Sequence, residues 1–207
     1  YNDNEVRCMF FNEVTAHEIY KTIYSWLCSQ TPGEYQTKSS LKNYSNKICM
    51  PIIKQVQQIR AFEQITETQE EFLSEVLYTG LIFRIQQYYK RRVAHVCPLP
   101  FYQSWSKSLE GLQQVSNLSG DVILLEGHAT DAIDVFGLLH FFWKNRLLNG
   151  ILSHMPIENL LRYEQEQEVL YPIQKENIIN ISVANHPNLS GKKIPLPQDK
   201  WFRNSLR

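Results

Sequence analysis

The stretch Asp121–Gly150 constrains the fold more than any other part of the chain. It consists of a short apolar run that ends in a glycine, followed by a longer apolar segment after Asp134. A short apolar run next to glycine is typical of a buried strand, whereas the longer segment has the length of a helix. The order predicts a strand, a turn and a helix, with the turn at the carboxyl end of the strand. In open α/β sheets that end is where sites are usually formed.

Four titratable side chains are expected around this turn. They are Glu126, His128, Asp131 and Asp134. Carboxylates that meet at a strand end can bind Mg²⁺, and a histidine beside an acid can act as a general base. We therefore predict Glu126, His128 and Asp131 as catalytic residues, and Glu126, Asp131 and Asp134 as metal ligands. The alternative is structural, because Asp131 and Asp134 would also stabilise the first turn of the following helix through its dipole.

The run Val122–Gly127, with Asp131 after it, resembles the first motif of the TOPRIM domain. This domain occurs in primases, topoisomerases and related nucleases, and its first strand ends in Glu-Gly with an Asp a few residues later. The resemblance implies a Mg²⁺-dependent enzyme that acts on nucleic acid, with Glu126 at the centre of its site. The family also has a second strand that ends in Asp-x-Asp, and no such triplet follows Gly127 in this chain.

Two basic and aromatic clusters are candidates for nucleic-acid contact. The first is Lys90, Arg91 and Arg92, which follow two tyrosines. The second lies near the C-terminus and contains Lys192, Lys193, Trp201 and Arg203. Basic groups contact phosphates and aromatic rings stack on bases. The alternatives are a helix C-terminus for the first cluster and a tail that docks its tryptophan on the core for the second. Lys+Arg and Asp+Glu both count 21, so no net charge attracts the chain to nucleic acid.

Hydrophobic periodicity and capping boxes predict the remaining elements. Helices are expected at 15–29, 69–92, 104–116, 135–148 and 157–170. The segment 51–65 is ambiguous: its apolar spacing favours a helix, which we prefer, and its β-branched residues would also suit a strand. Strands are expected at 5–11, 93–97, 122–127 and 177–184, and an exposed loop at 31–47. Interleaved strands and helices predict an α/β or α+β fold, with a central mixed sheet of about four strands covered by about five or six helices. We expect residues 1–184 to form a single globular α/β domain and residues 185–207 an irregular basic and aromatic C-terminal tail.

The segment 135–148 is apolar nearly all round, which predicts burial in the core or against a partner. Because no catalytic motif is complete and the chain begins at Tyr1, we expect a non-catalytic protein-interaction domain that is part of a larger protein or assembly. The alternatives are the metal-dependent nucleic-acid enzyme, with Mg²⁺ as its cofactor, and a non-enzymatic nucleic-acid binder. The four cysteines have no metal-type spacing. We expect them to be reduced, in an intracellular rather than a secreted protein, and no apolar run is long enough to span a membrane.

Overall fold

The computed structural model describes residues 12–28, 42–90, 96–116, 118–194 and 201–202. Within these residues the chain forms an α+β fold with six α-helices and one sheet of six strands. The strands of this sheet pair antiparallel. The α+β alternative is thus confirmed. The expectation of a mixed sheet of about four strands is wrong, because segments that we assigned to helices and to the tail are strands.

The helices are α1 (Glu13–Cys28), α2 (Met50–Arg60), α3 (Glu67–Val76), α4 (Leu109–Gln113), α5 (Val135–Lys144) and α6 (Glu158–Leu161). A π-helical segment, Ser45–Cys49, leads directly into α2. The strands are β1 (Leu77–Gln87), β2 (Leu99–Ser106), β3 (Gly120–Asp134), β4 (Glu168–Ile173), β5 (Ile178–His186) and β6 (Ser190–Ile194). Two short 3-10 turns, Glu164–Glu166 and Lys175–Asn177, come before β4 and β5.

The long strand β3 organises the sheet. The strand order is β1-β2-β4-β3-β5-β6, and β1 also pairs with β3, so β1, β2, β4 and β3 form a closed ring of pairings. On one side β3 pairs with β1 along most of its length. On the other side it pairs with β5 from Gly120 to Gly127 and with β4 at Ile133 and Asp134. Most of β3 is therefore hydrogen-bonded on both sides.

The largest correction concerns the turn that we expected at Gly127. Strand β3 continues through Gly127 to Asp134. A Cβ atom on Gly127 would lie 2.9 Å from the carbonyl oxygen of Asn177, so this glycine permits a close backbone approach and does not form a turn. The strand is irregular further on, where one extra residue of β3 lies opposite β1 and Asp131 has φ 59°. This is a β-bulge, which bends a strand without ending it.

The second correction concerns the helix that we expected at 69–92. It ends at Val76, and Leu77–Gln87 form β1. Apolar residues at this spacing suit one face of a helix, but pairing along β3 gives the same backbone groups sheet hydrogen bonds and overrides the local preference. The helix also begins earlier than predicted, because Thr66 and Gln69 form its capping box.

Other predictions are corrected in part. Helix α1 begins at Glu13, two residues before the predicted start, and the side chain of Asn12 accepts a hydrogen bond from the backbone N–H of Thr15 at 2.8 Å. Residues 42–47 are helical and not loop, 104–106 belong to β2, 168–170 to β4, and 190–194 form β6 within the expected tail. The segments 104–106 and 168–170 pair with each other although they are distant in sequence, and β6 pairs with the preceding strand β5. Three predicted segments lie outside the described residues: the strand at 5–11, residues 31–41 of the loop, and residues 93–95 of the strand at 93–97.

Predictions for α2, α5 and β5 are confirmed within a few residues. One core packs α1, α2, α3 and α5 against the sheet, and a second core lies among the strands. Cys28, Cys49 and Cys97 are free, as expected for reduced cysteines. None of the described helices is long and apolar enough to cross a membrane.

Candidate functional site

The three predicted metal ligands each have a partner within the protein. The amide of Asn180 donates to Glu126 Oε2 at 3.3 Å. Asp131 accepts two hydrogen bonds from the Arg60 guanidinium, at 2.6 and 2.9 Å, and this pairing lowers the pKa of Asp131. Asp134 accepts from the backbone N–H of Gly137 at 2.9 Å and therefore caps α5. The structural alternative is thus confirmed for Asp134, which also accepts from the Lys107 ammonium at 2.8 Å.

The structure does not bring these acids together as a metal site. Glu126 lies in the middle of β3 and Asp134 at its end, so roughly 25 Å of strand separates them at about 3.3 Å per residue. His128 is exposed on the same strand. Among the residues that the structure describes, no group of three or more His, Cys, Asp or Glu side chains could hold a metal ion.

The basic and aromatic clusters are only partly described. Lys90 is exposed and lies 3.9 Å from a carboxylate oxygen of Asp121. It follows a strand, so its expected place at a helix C-terminus is wrong. Trp201 is 8% exposed and packs in the core among the strands, which leaves its ring unable to stack on a base. Arg91, Arg92 and Arg203 lie outside the described residues, as do the side chains of Lys192 and Lys193 on β6.

A different site, which the sequence analysis missed, lies at the start of β4. Glu166 and Glu168 flank Gln167, whose backbone is left-handed with φ 51°. Such a conformation is uncommon for a residue other than glycine, and it is often found at functional sites. Burial raises the pKa of both carboxyl groups to about 7. Groups with strongly shifted pKa values that lie side by side are candidates for acid–base chemistry.

Glu168 is the more deeply buried of the two, with 5% of its surface exposed. Desolvation is the main cause of its raised pKa, and the negative charge of Glu166 raises it further. Hydrogen bonds from Ser104 and Trp26 and the charge of Arg84 act in the opposite direction. The Oε1 atom of Glu168 is buried and has no hydrogen-bond partner among the residues that the structure describes. A buried oxygen without a partner is costly, so it needs an explanation.

Aromatic and thiol side chains from the helical layer cover this carboxyl group. The rings of Trp26, on α1, and Tyr44, beside the π-helical segment, are 4.5 Å apart between centroids. Burial raises the pKa of Tyr44 and of Cys49, and the nearby charge of Glu168 raises both further. The Tyr44 hydroxyl is buried and, like Glu168 Oε1, has no hydrogen-bond partner within the described part of the chain.

Neighbouring backbone holds the turn that carries the two glutamates. The Ser106 hydroxyl lies 2.8 Å from the carbonyl oxygen of Glu166, and the backbone N–H of Lys107 donates to the carbonyl of Gln167 at 3.1 Å. Helix α4 approaches from the other side, where a Cβ atom on Gly111 would lie only 2.7 Å from the carbonyl oxygen of Glu166. Gly111 is therefore needed for this contact, and the turn is fixed from both sides.

One sequence signal could have found this site. Two glutamates separated by one residue stand directly before the apolar run Val169–Ile173. A buried strand with acidic residues at its start is the pattern on which we based the prediction at Glu126. We assigned residues 157–170 to a helix, and that assignment hid the pattern.

An open cleft of about 350 Å³ lies between the C-terminal part of α1 and α6. Its lining is Tyr24, Cys28, Glu158, Asn159 and Arg162. The amide of Asn159 donates to the Tyr24 hydroxyl at 2.7 Å, so two of the polar groups in this cleft satisfy each other.

No protein-family model, curated protein or solved structure matches this chain. The function is therefore inferred from the geometry and chemistry of the residues themselves. Fold class alone does not decide it, because one architecture can carry many activities.

Proposed function

We propose that the protein is an enzyme that uses Glu168 as an acid–base residue to cleave or transfer at a glycosidic bond, with Glu166 as the second carboxyl group. The observation that carries this proposal is the buried Oε1 of Glu168, which has no partner among the described residues and lies near a second carboxyl group. A carboxyl group in such a position is costly for folding, and the cost is understandable if the group takes part in chemistry.

The proposed reaction follows from the protonation states of the pair. With a pKa of about 7, each carboxyl group interconverts between acid and carboxylate near neutral pH. In glycosidic-bond cleavage one carboxylic acid donates its proton to the leaving group, and a carboxylate supports the positive charge that develops on the sugar ring. Water or an acceptor hydroxyl then attacks the anomeric carbon and returns a proton to the pair. The low-polarity surroundings of Glu168 strengthen these charge interactions.

The residues around Glu168 have positioning roles in this proposal. The Ser104 hydroxyl hydrogen-bonds to the carboxyl group and orients it. The left-handed backbone at Gln167 sets the directions of the two glutamates relative to each other. Both groups lie on or beside paired strands, and a rigid support of this kind keeps a catalytic pair in a defined geometry.

The variant Glu168→Gln tests the proposal, because glutamine keeps the size of the side chain but cannot exchange a proton. We expect the wild-type protein to release nitrophenol from aryl glycosides or the free base from nucleosides, with kcat/KM that changes near pH 7. The variant should lose activity by about 10³-fold, which is typical for removal of an acid–base residue. The matched control is Glu126→Gln on β3, which should keep wild-type activity. An inactive wild-type protein on both substrate classes, or an active Glu168→Gln, would contradict the proposal.

A second candidate is the non-catalytic protein-interaction domain predicted from the sequence. One observation favours it: Trp143 on α5 is 58% exposed, although most of this helix is buried. Exposed tryptophans often anchor protein interfaces. The two nucleic-acid alternatives stay predictions, with Lys90 as an exposed basic residue among those described.

The interaction candidate predicts that Trp143→Ala weakens binding to a protein partner by at least about tenfold, as for an interface anchor. The matched control is Phe62→Ala, which removes another exposed aromatic side chain away from α5. Binding would be measured as the amount of co-purifying protein, identified by mass spectrometry and re-measured with the purified partner. Equal binding by both variants would argue against Trp143 as an interface anchor.

A further inference from the structure

We propose that α1 and the π-helical segment form a movable cover over Glu168, and that the cover opens when this carboxyl group loses its proton. The inference rests on the proposed function, because it says how a substrate would reach a carboxyl group that is closed off from solvent. It assigns a regulatory role to the helical layer in front of the sheet.

The contacts of the cover are mostly aromatic and apolar. Trp26 and Tyr44 pack against each other, and Tyr44 and Cys49 are both buried. The charge of Glu168 is near enough to raise the pKa of each of these two groups. The hydroxyl of Ser45 accepts a hydrogen bond from the backbone N–H of Tyr102 on β2, at 3.3 Å, which is long for such a bond. A π-helical turn is rare and frequently marks a functional site.

Under this cover, Glu168 Oε1 and the Tyr44 hydroxyl are buried, and neither has a hydrogen-bond partner among the residues described. Both could be hydrated if the cover opened, so the closed state is strained in a way that opening relieves. The strain is small while Glu168 is neutral and large when it is charged, because an isolated buried charge is much more costly than a buried neutral group.

The groups that face Glu168 do not remove this cost. The turn before β4 adds the negative charge of Glu166, and Tyr44 and Cys49, at the two ends of the π-helical segment, are neutral. Hydrogen bonds from Ser104 and Trp26 and the charge of Arg84 on β1 favour the charged form, but together they do not offset burial, because the pKa of Glu168 is still raised to about 7. The charged form is therefore favoured in an open state in which water reaches the carboxyl group.

The pH range of the opening follows from the linkage between proton binding by Glu168 and the position of the cover. The pKa of Glu168 is about 7 when the cover is closed and close to its ordinary 4.5 when the group is hydrated. Between these two values the open population should increase by up to about tenfold per pH unit, and it should level off above pH 7.

The thiol of Cys49 reports the opening, since it is buried beneath the cover in the closed state. We would label the full chain with a dipyridyl disulfide, which reacts with thiols at acidic pH, and read each cysteine separately by peptide mass spectrometry. The exposed Cys28 corrects for the intrinsic effect of pH on thiol reactivity, and the buried Cys97, outside the cover, reports global unfolding.

The expected result is a Cys49-to-Cys28 rate ratio that rises steeply from pH 5 to pH 7 and then levels off, while Cys97 stays protected. In Glu168→Gln the ratio should stay low at all pH values, and in Glu166→Gln the rise should persist, shifted to lower pH. A ratio that does not change with pH, a rise shared by Cys97, or an unchanged rise in Glu168→Gln would overturn the proposal. If Glu168→Gln does not fold, the labelling rates of Cys49 and Cys97 in the wild-type protein still test the proposal. Because labelling needs no substrate, opening without any glycosidic activity would contradict the proposed function alone.

Discussion

The free energy of unfolding of the wild-type protein is expected to fall by about 3 kcal/mol as the pH rises from 4.5 to 7. The pKa of Glu168 is raised from 4.5 to about 7 in the folded protein, mainly by burial. The unfolded chain therefore loses this proton first, and each pKa unit of difference corresponds to about 1.4 kcal/mol. The stability that neutral Glu168 provides is complete below pH 4.5 and is lost as the pH approaches 7.

Other groups change this profile little within that range. Glu166 acts in the same direction, and its partial exposure makes its contribution smaller. The Arg60 pairing lowers the pKa of Asp131 below 3.8, so its stabilising effect is lost only in more acidic solution. The decline between pH 4.5 and 7 should therefore belong mainly to Glu168.

Urea unfolding followed by tryptophan fluorescence at several pH values between 5 and 8 measures this effect. In Glu168→Gln the decline should largely disappear, and above pH 7 the variant should be more stable than the wild-type protein. In Glu126→Gln the decline should remain, because Glu126 is not part of the buried pair. Parallel pH profiles for the wild-type protein and Glu168→Gln would show that Glu168 is not the buried acid described above.

Replacement of Gly137 by alanine is expected to lower the free energy of unfolding by about 3 kcal/mol or more. A Cβ atom at this position would lie 1.9 Å from the carbonyl oxygen of Glu75, which belongs to α3. The clash is with backbone, so no side-chain rotation can relieve it, and α5 must move away from α3. Alanine gains up to about 1 kcal/mol of helix propensity over glycine, which is too little to compensate.

The matched control for this variant is Gly120→Ala. Gly120 has φ +78°, and a Cβ atom there would meet nothing within 4 Å. The free energy of unfolding of this variant should fall only by the strain of an alanine in the left-handed conformation, about 1–2 kcal/mol. Chemical unfolding of both variants compares the two effects. If Gly137→Ala lowers the free energy of unfolding no more than Gly120→Ala does, then α3 and α5 do not pack as closely as described.

Local signals in the sequence succeeded where one residue acts on its own neighbours. Asp134 precedes an apolar segment, and it caps α5 as the helix-dipole alternative predicted. The strand at 177–184 and the helix within 51–65 follow from short runs of apolar residues. In these elements the local preference and the tertiary environment agree.

The predictions failed where the same pattern suits two structures. Leu77, Leu81 and Ile85 recur at helical spacing, yet these residues form β1 because β3 offers a partner along the whole segment. The predicted helix at 157–170 ends in β4 for the same reason, since β2 pairs with that strand. Pairing partners distant in sequence are not visible in a local pattern.

The candidate site shows the same division. The sequence by itself determined the residue types: two glutamates separated by one residue before an apolar run, and aromatic residues at positions 26 and 44. Only the tertiary structure decided which carboxyl groups meet. Glu126, Asp131 and Asp134 are close in sequence but have separate partners, because an extended strand spaces them apart. Glu168 lies near Trp26, Tyr44 and Ser104, which come from distant parts of the sequence. Only the folding of the chain brings these residues to its carboxyl group.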